Sequence, residues 1–91
     1  MVLGQINMNK KEIILERISD ETLMFADGLD DAIIGLCETT NRVIYSTSKI
    51  LEILMDEGME YEDALEHFGF NISSGYVGEM TPIFCDDRFF K

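Results

Sequence analysis

The sequence predicts an α+β domain: a small antiparallel sheet, built from a three-strand meander plus a C-terminal edge strand, packed against two to three helices. Three observations predict it. Short apolar runs separated by turn signals occupy residues 22–46. Two later stretches space their apolar groups by three and four residues, the helical interval. The chain's only proline opens a last apolar run, Pro82-Ile83-Phe84-Cys85. With 91 residues, of which 46% are apolar, the chain is long enough for one packed domain and too apolar for a disordered acidic tract. The expected division is an N-terminal arm or short helix over 1–19 and a single α+β domain over 20–91.

The elements follow in order. Asn9 is a cap residue, and Ile13, Ile14, Arg17 and Ile18 recur at helical spacing behind it, which predicts a short helix over 9–18. Thr22-Leu23-Met24-Phe25-Ala26 reads as a first strand, stopped by the turn signal Asp27-Gly28. Ala32 to Cys37 reads as a second strand and Arg42 to Ser46 as its partner, with Asn41 suited to the positive φ of a tight link. A rival reading runs a helix from Asp30 through this region; Gly35 and the Thr39-Thr40 pair count against it. Ser46-Thr47-Ser48 supplies cap oxygens for a helix whose face is Ile50, Leu51, Leu54 and Met55 and whose end is Gly58. A further helix over 60–68 carries Tyr61, Ala64, Leu65 and Phe68 on one face and closes at Gly69.

The stretch FGFNISSGYVGEMTPIF, residues 68–84, then reads as a turn-rich return to the sheet. Gly69, Gly75 and Gly78 let the backbone turn, and Phe70, Ile72, Tyr76 and Val77 are expected to supply core contacts. Pro82 lacks the N–H that a ladder needs, so it suits the start of an edge strand. The terminal Arg88-Phe89-Phe90-Lys91 either packs back or offers an apolar contact tip.

Two segments resemble a known group. Phe25-Ala26-Asp27-Gly28-Leu29-Asp30-Asp31-Ala32-Ile33-Ile34-Gly35 is one. The other is Tyr61-Glu62-Asp63-Ala64-Leu65-Glu66-His67-Phe68, followed by Phe70-Asn71 and by Tyr76-Val77-Gly78-Glu79-Met80-Thr81-Pro82-Ile83-Phe84. Together they resemble a family of small bacteriophage- and prophage-encoded proteins in which similar segments recur at like spacing. The resemblance spans residues 22–85 and brings no activity, cofactor or catalytic residue with it. It implies a mobile-element context and a host-directed role.

Charge is the dominant compositional fact. Formal net charge is −11. Residues 1–19 hold three bases and two acids, or +1, whereas residues 20–91 hold four bases and sixteen acids, or −12. Such a surface repels phosphate backbones and attracts basic proteins, which disfavours direct nucleic-acid binding. The apolar runs are too short to span a membrane, and the first residues lack the order of a secretion signal. Cys37 and Cys85 are accordingly expected as free thiols in or near the core, in the host cytoplasm.

Several constellations carry chemistry on paper. His67, the only histidine, follows Asp63 by four residues, but the cysteines lack metal-type spacing and no metal or cofactor is expected. Ser46-Thr47-Ser48-Lys49 fits S-x-x-K, a pattern that any cap followed by lysine produces. Asp27, Asp30 and Asp31 cluster without the register of a calcium loop. Asp56, Glu57, Glu60, Glu62, Asp63 and Glu66 put six acids in eleven residues with no base among them. This run reads either as a solubilising face or as a negative surface offered to a basic groove in imitation of phosphates, with Tyr61 as its anchor.

The functional expectation is therefore binding, not catalysis. The chain is read as a small acidic phage-type protein that binds and inhibits a host protein with a basic, nucleic-acid-binding or defence surface. Asp56 to Glu66 forms the main patch and Asp30 and Asp31 a second. An alternative reading is an oligomeric sponge for a nucleotide-like signal, held by Arg42, Lys49, Gly75, Tyr76 and Gly78. An enzyme and a virion component are the remaining readings. A homodimer or higher homo-oligomer fits the small core and, if it does not pack back, the apolar C-terminal tip.

Overall fold

The structure is a computed structural model that describes residues 9–18 and 20–90. Residues 1–8, and with them most of the expected N-terminal arm, lie outside the described residues, as do Ser19 and the Lys91 of the C-terminal tip.

Asn9 begins the first helix, α1 (Lys10–Arg17), through a reciprocal capping box. Its side chain accepts the Glu12 N–H at 2.9 Å, and Glu12 Oε1 accepts the Asn9 N–H at 3.1 Å. A 3₁₀ turn, Asp30–Ala32, leads into strand β1 (Ile33–Leu36). The link to β2 (Val43–Ser46) places Asn41 at φ +62°. Ser46 ends that strand and caps α2 (Thr47–Asp56), accepting the Lys49 N–H at 3.1 Å. Gly58, at φ +111°, lets the chain leave α2, which a side chain there would resist. Then come α3 (Tyr61–His67), a π-helical turn Phe68–Ile72, and β3 (Ile83–Cys85).

The fold is α+β, with three helices beside a small open sheet of order β1-β2-β3. The sheet is mixed. β1 pairs antiparallel with β2 around an irregularity at Ile34, and β3 pairs parallel with β2, Tyr45 lying opposite Phe84. Parallel pairing requires a crossover, and α2, α3 and the π-helical turn provide it. The core lies between sheet and helices: Leu29, Ala32, Ile33, Val43, Tyr45, Ile50, Leu51, Leu54 and Ala64. Full burial of side chains such as Ile50 and Leu51 contributes about 1.5–3 kcal/mol each.

Four sequence expectations are corrected. Residues 22–26 form no strand, so there is no three-strand meander. Within that segment the Ala26 N–H donates instead to the buried Tyr45 hydroxyl at 2.7 Å, and beside β1 Lys10 Nζ donates to the carbonyls of Asp31 and Ile33 at 3.1 and 2.9 Å. Gly69 does not close the second helix, because its backbone continues through the π-helical turn, sealed by Ser73 N–H donating to Phe68 O at 2.8 Å. Of the residues expected to bury the return segment, Ile72 packs on the core, whereas Phe70 and Tyr76 are 78% and 77% exposed and Val77 is exposed as well. Cys85 also faces solvent on the edge strand, while Cys37 is half-buried and both thiols are free.

Tyr45→Phe isolates the hydroxyl that replaces strand pairing. It leaves the Ala26 N–H without its acceptor and should lower stability in denaturant unfolding by about 1–3 kcal/mol. A loss near zero would show that water substitutes freely at this position.

Candidate functional site

One concavity has a volume of about 410 Å³. It is bounded by the 25–29 segment, the end of α2, the π-helical turn and the approach to β3. Each wall has a cause in the core. The Tyr45 hydroxyl holds Ala26, and burial raises the pKa of that phenol, keeping it neutral. The Phe84 ring lies tilted against Tyr45 at 5.7 Å between centroids and meets Phe68 edge-on at 5.6 Å. Pro82 opens β3 and lines the same space, as sequence reasoning expects for an edge strand. Leu54 and Ile72 complete an apolar lining, to which Asp27, Glu57, His67 and Asn71 add polar groups.

His67 and Asn71 also line a shallower groove with Met59, Asp63, Glu66 and Phe70. The acidic run therefore reaches the cavity through Glu57 and the neighbouring groove through Asp63 and Glu66. All six of its carboxylates, Asp56, Glu57, Glu60, Glu62, Asp63 and Glu66, are exposed. Glu62 and Asp63 stand in the first turn of α3, where the helix dipole favours them. Asp56 and Glu57 stand at the end of α2, where it disfavours them by about 0.3–1 kcal/mol each. Among the described residues the one ion pair is Asp86–Arg88, so no base within this set neutralises the run. Tyr61 is 47% exposed instead of core, and its hydroxyl lies beside Arg88. The second patch is less free: Asp30 Oδ2 accepts Asn9 Nδ2–H at 3.1 Å, and Asp31 is exposed.

The groups expected to hold a nucleotide relate to this cavity unequally. Gly75 lines the cavity, but Arg42, Lys49, Tyr76 and Gly78 do not. Arg42 Nε donates to Thr81 O at 2.6 Å and ties the 77–81 turn to the sheet. Thr81 Oγ1 closes that turn, accepting from Val77 N–H and donating to Gly78 O. Lys49 is exposed. Asp27, Asp30 and Asp31 do not assemble a metal site: no group of three or more His, Cys, Asp or Glu suited to a metal occurs among the described residues. His67 Nδ1 faces Asn71 Nδ2 at 3.2 Å. Cys37 lies in the β1–β2 link, where hydrogen bonds from Thr39 and Thr40 bring its thiol down to about 6.

Ser46 has the geometry of a cap and not of a nucleophile. It is fully buried, and its Oγ donates to Asp87 Oδ2 at 2.5 Å while accepting from Lys49 N–H. Asp87 Oδ1 also accepts the Ser48 N–H at 3.0 Å, so a carboxylate 41 residues downstream completes the α2 terminus. Sequence reasoning misses Asp87, because nothing local marks it. It likewise misses the cavity, since Phe25, Leu54, Ile72 and Phe84 carry the same apolar signal whether they fill a core or line a space.

The hydrogen bonds from Ser46 and Ser48 lower the Asp87 pKa below its ordinary 3.8. The folded state thus favours the carboxylate, so its contribution is complete above 3.8 and is lost as pH falls through the depressed value. Asp87→Asn should cost about 1 kcal/mol in urea unfolding at neutral pH. The gap between variant and wild type should close as the medium is acidified below the ordinary aspartate value. A gap independent of pH would contradict a charged cap. Comparison of the chain with protein-family models, curated proteins and solved structures returns no match, so the chemistry of this site rests on its own residues.

Proposed function

We propose that this chain is a small acidic binding module of phage type that docks on a basic surface of a host protein, one that binds nucleic acid or acts in defence, and inhibits it. The observation that carries this reading is the placement of the acidic run: six exposed carboxylates on consecutive helices, without a base of their own among the described residues. Asp56 and Glu57 are the most telling, because local structure disfavours them at a helix C-terminus. A cationic partner would relieve the repulsion among these groups, speed encounter at low ionic strength and lose its hold as salt screens the field. No helix among the described residues is long and apolar enough to cross a membrane. On this reading the protein works in the host cytoplasm. The exposed Phe89 and Phe90, stacked edge-on at 6.4 Å, are the contact through which copies would associate.

Charge reversal separates this role from folding. Reversing Glu60, Glu62 and Asp63 together should abolish salt-sensitive capture of basic nucleic-acid-binding proteins from bacterial lysate, with the circular dichroism spectrum retained. Asp56→Lys should weaken capture and at the same time raise the unfolding midpoint, because it places a base where the α2 dipole favours one. Capture unchanged in both variants would remove the proposal.

A further inference from the structure

Beyond the acidic face, we infer that the 410 Å³ cavity is a binding site for a small organic cation, an amine or amidine carried on an aromatic or branched-alkyl body. The volume falls within the range of about 300–1,000 Å³ typical of small-molecule pockets. The lining sets the chemistry. Phe25, Leu54, Ile72 and Phe84 offer a hydrocarbon surface, and burial of an apolar body against it contributes about 25 cal/mol for each Å² removed from water. Asp27 and Glu57 are exposed residues of that lining, so they stand where the cavity opens. No Lys or Arg among the described residues lines it, which disfavours phosphate, sulfate and carboxylate ligands. Asn71 directs its amide nitrogen to His67 Nδ1, which leaves the Asn71 carbonyl oxygen as a further acceptor for an ammonium.

The cavity is also preformed. Its Ala26 wall hangs from the Tyr45 hydroxyl, and its Phe84 wall is held between the Tyr45 and Phe68 rings. A ligand entering it orders little, so the affinity is not spent on arranging the walls. Its charge distinguishes it from the groove beside α1, which Lys10 lines with Ile13, Ile14, Ile33, Ile34 and Gly35 and in which a cation meets a like charge.

Three probes of one body and three charges test this: 2-phenylethylamine, 2-phenylethanol and phenylacetate, titrated into the full chain by amide-resolved NMR. The amine should shift signals of residues 26–29, Glu57 and 72–75 and bind about tenfold more tightly than the alcohol, the combined worth of two partly solvated charge contacts. Phenylacetate should bind more weakly than the alcohol. Asp27→Asn with Glu57→Gln should bring the amine to the level of the alcohol. Reversal of Glu60, Glu62 and Asp63, none of which lines the cavity, should leave amine binding as it is, so failure of the protein-docking role and failure of this site are read separately. The inference is overturned if the amine shifts no cavity signal, if it binds no better than the alcohol, if the double variant leaves the preference intact, or if the triple reversal abolishes it.

Discussion

One hydrogen bond organises this molecule: the Ala26 N–H to the Tyr45 hydroxyl. Tyr45 stands on the central strand with its side chain fully buried, so its phenol reaches through the core to a segment that pairs with no strand. An unsatisfied amide there would cost more than the bond itself contributes, which makes the position hard to vary. Because the segment hangs from a side chain instead of a ladder, it stands off from the sheet. The space it leaves is the cavity. The same ring packs against Phe84, so one residue contacts two members of the cavity lining, Ala26 and Phe84.

The distribution of polar groups explains the lopsided surface. The chain has seven bases, and the structure uses several of them internally. Lys10 serves two carbonyls, Arg42 serves Thr81, and Arg88 forks onto Asp86, which it holds down to about 2. Lys11 sits over the Phe25 ring at 5.2 Å. Cations tied to loops and tails in this way do not balance the carboxylates of α2 and α3. The acidic face is thus a consequence of how the bases are employed as well as of how many acids there are. That imbalance, beside an apolar cavity with carboxylates at its opening, is the physical content of both proposed roles.

Local signals in the sequence were reliable where the interaction itself is local. Asn9 and Ser46 cap as their spacing suggests, Ile50, Leu51 and Leu54 form the buried face while Met55, expected on it, is 43% exposed at the end of the helix, Asn41 takes positive φ, and Pro82 opens the edge strand. The α+β class follows from those elements. Misreadings arise where a distant partner decides. The run 22–26 has strand-compatible residues, yet its amide is claimed from 19 positions away. The direction of β3 depends on the crossover and not on its three residues. Asp87 reaches the α2 terminus across the whole α3 region, and its own neighbours, Asp86 and Arg88, suggest only a surface pair. For the site, composition revealed the acidic run, because charge density needs no fold to be counted. It grouped Arg42, Lys49 and Tyr76 by chemical aptness, and none of the three lines the cavity, Arg42 being engaged with Thr81 O instead.

Native-state hydrogen exchange at the Ala26 amide tests the central claim most directly, because it reads one bond without altering the protein. If the Tyr45 hydroxyl holds this segment as described, Ala26 exchanges on the slow timescale of the buried β2 amides, while the amides of neighbouring exposed residues such as Met24 and Asp27 exchange quickly. Exchange of Ala26 as fast as those neighbours would mean that the segment swings free of the sheet, and the cavity with its walls would have no fixed form.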